Sequence, residues 1–147
     1  MKRTSVPVNS FFVEMILVIL FFAISVTVTL QLFVQANNRA HQSSDLSTAV
    51  IQAENIAEQV SALSSPDQLP EALKTAKQES GGSYRLNYNQ EWKPTASDPR
   101  YTVDVTLKKS PSEGGTMVTA KIAVSRIKNG GEDSLYSLRS AKYLPQN

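Results

Sequence analysis

Twenty-four consecutive residues, Phe11 to Val34, carry a single charge, Glu14, and are otherwise aliphatic, aromatic or hydroxyl-bearing apart from Gln31. At about 1.5 Å of rise per residue, such a run reaches roughly 36 Å as one helix, enough to cross a hydrocarbon layer of about 30 Å with some tilt. A carboxylate on that run costs on the order of 2.5–3.5 kcal/mol at a span's centre and less near its end. Glu14 therefore needs either a route to the headgroups or a compensating cation.

The chain has 147 residues with a net charge of +2, and its charges form no block of one sign. Once a membrane span and its lead are set aside, one small core is left to build. No basic stripe of the kind that follows a nucleic-acid backbone is legible in one dimension. With no cysteine, disulfide scaffolds, thiolate metal sites and cysteine nucleophiles are excluded. Lys2 and Arg3 precede the span, and only Arg39 follows it closely, so the positive-inside rule puts the N-terminus in the cytoplasm and the body outside.

Residues 1–9 read as a short basic leader in which Pro7 disfavours helix at Val6, so helix is expected from about Asn9 or Ser10. Residues 10–36 form the expected transmembrane segment. Residues 37–65 continue the helix amphipathically, because Leu46, Ala49, Val50, Ala53, Ile56, Ala57, Val60 and Leu63 recur at spacings of three and four. Asp45, Gln52, Glu54, Asn55, Glu58 and Gln59 occupy the other positions. Neither Gly nor Pro falls between Ser10 and Ser65, which predicts one helix of about 55 residues, with Asn37-Asn38 the candidate break or bend.

Residues 66–147 read as a small β domain with a short helix. Ser64-Ser65-Pro66-Asp67 stops the long helix, Leu69 to Lys77 reads as the short one with Pro70 in its first turn, and Gly81-Gly82 closes it. The period then changes to two, with Tyr84, Leu86 and Tyr88, then Tyr101, Val103, Val105 and Leu107, then Val118, Ala120, Ile122 and Val124 each alternating with polar or small residues. Leu135 to Tyr143 is a last candidate strand. Gly114-Gly115 and Asn129-Gly130 mark turns, and Asn-Gly is a strong hairpin signal. A sheet apolar on one face needs a covering layer, and Leu46 to Leu63 offers the only long apolar helical face. The expected fold class is α+β, a long N-terminal helix packed on an antiparallel sheet of about four strands.

Ser10-Phe11-Phe12-Val13-Glu14-Met15-Ile16-Leu17-Val18, followed by a long helix and a small sheet, resembles the type IV pilins and the pseudopilins of type II secretion. In that family a prepilin peptidase removes a basic leader, a Glu stands at the fifth mature position, and the N-terminal helices pack in the filament core. The resemblance implies a processing junction at Asn9, Ser10 and Phe11, with Glu14 at position five when Ser10 is first. It also implies that Glu14 pairs with the freed amine of an adjacent subunit. Asn9 and Ser10 stand where the family usually has Gly and Phe, a divergence that points to a minor rather than a major subunit. The implied partners are other pilin or pseudopilin subunits, the membrane and a prepilin peptidase. The implied location is the cytoplasmic membrane, with the C-terminal domain extracytoplasmic and able to enter a surface or periplasmic filament.

Other features carry less. Ser25, Thr27 and Thr29 are hydroxyls that membrane helices commonly satisfy on their own backbone. His41, beside Ser43, Ser44 and Asp45, lies on an exposed helix with no pocket or oxyanion hole around it. Trp92 sits in a turn-rich stretch where it covers the edge of the core or anchors a contact. Asp98, Asp104, Glu132 and Asp133 lack calcium-loop spacing, and neither glycine pair has the surroundings of a phosphate loop. No enzyme, cofactor, metal, nucleic acid or small-molecule substrate is expected. Two rival readings remain at this point: a single-pass anchored extracytoplasmic binding protein, and a secreted soluble protein cut after Ala36.

Overall fold

The computed structural model describes residues 8–146, so the expected leader lies outside the described residues as far as residue 7. Helix α1 runs Val8–Ser61, 54 residues, with no break at Asn37-Asn38. Its continuity follows from a stretch free of Gly and Pro, where no backbone donor is missing and no residue carries glycine's entropic cost. The last turn tightens, with Leu63 N–H donating to the Val60 carbonyl at 3.2 Å, shortly before Pro66. The chain divides into two compact units between Ser43 and Ser44.

The second unit is an α+β head. Its five strands, β1 Lys77–Glu79, β2 Ser83–Tyr88, β3 Tyr101–Ser112, β4 Gly115–Lys128 and β5 Gly131–Pro145, form an antiparallel meander in sequence order. Sequence reasoning expected about four strands. The fifth is β1, three exposed residues too short to show alternation, which pairs with β2 from Lys77↔Arg85 to Glu79↔Ser83. The expected short helix Leu69–Lys77 is corrected to a single 3-10 turn, Glu71–Leu73. Pro70 stays extended at ψ 140, and Leu73 is drawn into the core. The Gln59 side-chain carbonyl accepts the Ala72 N–H at 2.9 Å, which satisfies the turn without further helix. Gly81, at φ 74, turns the chain from β1 into β2 instead of closing a helix.

The register decides the faces. Val103↔Val124 and Val105↔Ile122 align directly across β3 and β4, and β5 adds Tyr136 and Leu138 opposite Val124 and Ile122. This face and the helix residues Ala49, Ala53, Ile56, Val60 and Leu63 bury one another as a single core. The other face carries Ser83, Arg85, Asp104, Thr106, Thr119, Lys121 and Arg139. Asn129 and Gly130, at φ 52 and φ 78, make the β4–β5 turn as a type I′ hairpin requires. A register shift opposite Val124 and Ser125, where Leu135 is the extra residue, bulges β5 near that end, and Glu132 beyond the turn reaches Arg85 of β2 at 3.3 Å, across two intervening strands.

Candidate functional site

In the first unit, α1 is apolar on every side. Phe11, Ile16, Leu20, Phe21, Leu30 and Phe33 are all exposed, Phe21 and Phe33 to 75 %. A helix hydrophobic all round needs a nonaqueous environment or neighbouring helices, and this one has the length and composition to cross a membrane. Its hydroxyls impose no obstacle. Ser25 Oγ donates to the Phe21 carbonyl at 2.8 Å, Thr27 Oγ1 to Ala23 at 2.9 Å and Thr29 Oγ1 to Ser25 at 2.8 Å. Every one of them is satisfied within its own helix, as lipid demands.

Glu14 is the one charged side chain between Val8 and Asn38, and it is exposed among Leu17, Val18 and Phe21. Ser10 and Phe11 of the expected junction are exposed in the first turns of α1, and Asn9 lies on the same helical backbone. His41 is an exposed helix position.

In the head, the expected packing face holds at Ala49, Ala53, Ile56, Val60 and Leu63, all buried, with Val50 and Ala57 half-buried at its margin. The two alanines let backbone approach sheet closely at that level. Leu46 is the correction, because it stands 44 % exposed. At about 100° per residue, Leu46 lies roughly 60° to one side of Ala49, whereas Asp45 lies only about 40° to the other. Asp45 therefore takes the inward place where the helix meets the end of the sheet.

There the Asp45 carboxylate accepts the Tyr101 hydroxyl at 2.8 Å and faces Arg126 at 3.4 Å, while Arg126 also pairs with Asp133 at 2.9 Å. Burial, and next the hydrogen bond to Asp45, push the Tyr101 hydroxyl up to about 12. By residue type alone Asp45 groups with the polar positions of the helix. The missed signal is its four-residue spacing from Ala49, which places a carboxylate on the apolar stripe.

Trp92 packs against the core edge, stacked on Tyr101 at 4.0 Å and 11° and tilted against Tyr88 at 6.0 Å. Its φ of 58 is unusual for a bulky residue, and the Asn89 side-chain carbonyl, accepting from the Glu91 and Lys93 N–H groups, holds the turn. On the outer face, Arg85 forks onto Asp104 at 2.6 and 3.0 Å, and that hydrogen bonding raises its pKa further above the ordinary guanidinium value. Asp104, Glu132 and Asp133 thus serve arginines. No protein-family model, curated protein or solved structure matches this chain.

Proposed function

We propose that the chain is a non-enzymatic, single-pass subunit of a type IV filament system, of the minor pilin or pseudopilin kind. The observation that carries this reading is the change of role along one unbroken helix. Through residues 10–34 it exposes apolar side chains on every side with a lone carboxylate one turn in, and from Ala49 it supplies the long helical layer of an α+β head. A static anchor has no use for that carboxylate.

The physical sequence of events follows from solvation. In lipid the apolar side chains are at home and the backbone and hydroxyls are internally satisfied, but Glu14 is not. Docking the stem beside a neighbour's ammonium, freed by cleavage near Asn9 and Ser10, would compensate both charges and favour one axial register. The same apolar surface then packs on other helices. Lys2 and Arg3 favour a cytoplasmic N-terminus in the inner membrane with the head outside.

Replacing Glu14 by Ala is expected to leave membrane insertion intact and to lower incorporation into filaments about tenfold or more, a differential of ~1.4 kcal/mol. Intact mass measured on protein recovered from its membrane should give a start at Ser10 or Phe11. A start at Asn37 supports the secreted reading. An intact Met1 together with unchanged incorporation of Glu14→Ala overturns the proposal.

A further inference from the structure

The head's two outward surfaces carry opposite charges, and we propose that they dock head to tail, the helix surface of one copy on the sheet surface of the next. On the helix side, Glu54 and Glu58 are exposed one turn apart on the face turned away from the sheet. Like charges at this spacing repel. Ile51, 54 % exposed, lies beside them on the same face.

On the opposite layer, Lys121 stands directly across from Arg139 in the β4–β5 register, and Lys108 lies one row further along β3, opposite Thr119. All three cations are exposed. Like charges placed directly opposite on a sheet also repel. Among the described residues, none of Glu54, Glu58, Lys108, Lys121 and Arg139 has an ion-pair partner. The head's other exposed acids mostly do, as with Glu71 on Lys74, Glu91 on Lys93 and Asp67 on Lys109.

The two unfavourable pairs are complementary in sign and in scale. One helical turn separates the carboxylates by about 6 Å, and directly opposed residues on neighbouring strands lie about 5 Å apart. Thr119 and Ala141, paired in the register next to Lys121 and Arg139, form low ground between the cations where Ile51 can seat. The occupant is a second copy of this chain, because one chain carries both halves of the contact on opposite layers. Such a contact is heterologous, and wherever its rotation does not close a ring it propagates as a filament. The inference rests on the filament reading for its setting, although its test does not.

The chain's lack of cysteine allows the contact to be read by engineered thiols. Asn55→Cys on the helix surface and Ala141→Cys on the sheet surface, both exposed, are introduced together into the full chain in native membranes and treated with a short bismaleimide. A ladder of multimers is expected from the double-cysteine chain, and none from either single-cysteine chain. Glu54→Lys with Glu58→Lys, or Lys121→Glu with Arg139→Glu, should each reduce the ladder at least tenfold. The two reversals combined should restore it, and salt should weaken it.

Absence of the ladder with native charges overturns the proposal, as do dimers from one cysteine alone, indifference to charge reversal, or failure of the combined reversal to restore it. Filament incorporation of Glu14→Ala is scored separately. A ladder without any Glu14 effect would leave the head contact standing while the stem reading falls, and the reverse pattern would do the opposite.

Discussion

Ile51 and Ile56 are the same residue on the same helix, five positions apart, and the head should treat them very differently. Ile56 is 2 % exposed in the single core between helix and sheet, whereas Ile51 faces outward. Truncating Ile56 to Ala removes three carbons at about 0.8 kcal/mol each, or ~2.4 kcal/mol in transfer. A residual void of ~40 Å³, at about 24 cal/mol per Å³, adds ~1 kcal/mol, for a loss of about 3–4 kcal/mol. A head of this size holds only about 5–15 kcal/mol, so the change removes a large share of its stability. Ile51→Ala should stay within about 0.5 kcal/mol plus the small helix-propensity gain of Ala.

The assay is equilibrium urea unfolding of the full chain in nonionic micelles, followed by fluorescence of Trp92, the chain's single tryptophan, which reports on the head through its stack on Tyr101. With an m-value of about 1.5 kcal/mol/M, Ile56→Ala should lower the midpoint by roughly 2 M, and Ile51→Ala should barely move it. Equal midpoints for the two variants would refute the assignment of the buried face.

Two further outcomes follow from the head. The Tyr101 hydroxyl sits at about 12 in the fold against an ordinary value near 10, so the fold favours its neutral form. That stabilisation, up to ~2.7 kcal/mol, is complete below about pH 10 and is lost as pH rises from ~10 to ~12. Tyr101→Phe should flatten this part of the pH–stability curve relative to the unaltered chain, with the burial-raised Tyr88 still contributing; a curve of unchanged slope would discard the raised Tyr101 hydroxyl.

A Cβ at Gly115 would lie 2.3 Å from the Leu144 carbonyl oxygen and 2.8 Å from the Tyr143 ring, so Gly115→Ala should cost at least about 2 kcal/mol in the same urea assay. Gly130→Ala meets nothing within 4 Å and should lose only the ~1–2 kcal/mol of its left-handed backbone.

The long helix was fully legible in the sequence, because helix needs only local donors and acceptors and no Gly or Pro interrupts it from Val8 to Ser65. The alternating runs of β2, β3 and β4 and the turns at Gly114-Gly115 and Asn129-Gly130 were legible for the same reason, since period and turn chemistry are local. Strand β1 was not. Three exposed residues have no period to read, and they are a strand only because β2 offers them an edge. Leu46 was placed inside because spacing counts apolar residues without knowing where the sheet ends; Asp45 instead takes the inward place, held by Tyr101 and Arg126 from strands 56 and 81 residues away.

The charges divide in the same way. That Glu14 stands alone in an apolar helix is settled by the sequence, since no fold of this chain supplies it a charged neighbour within the span. That Lys121 faces Arg139 with neither in an ion pair, and that Glu54 and Glu58 look away from them on the other layer, depends on strand register and on which side of the helix the core claims. Those are decided by long-range packing, because a one-residue slip would turn every side chain of a strand to the other face.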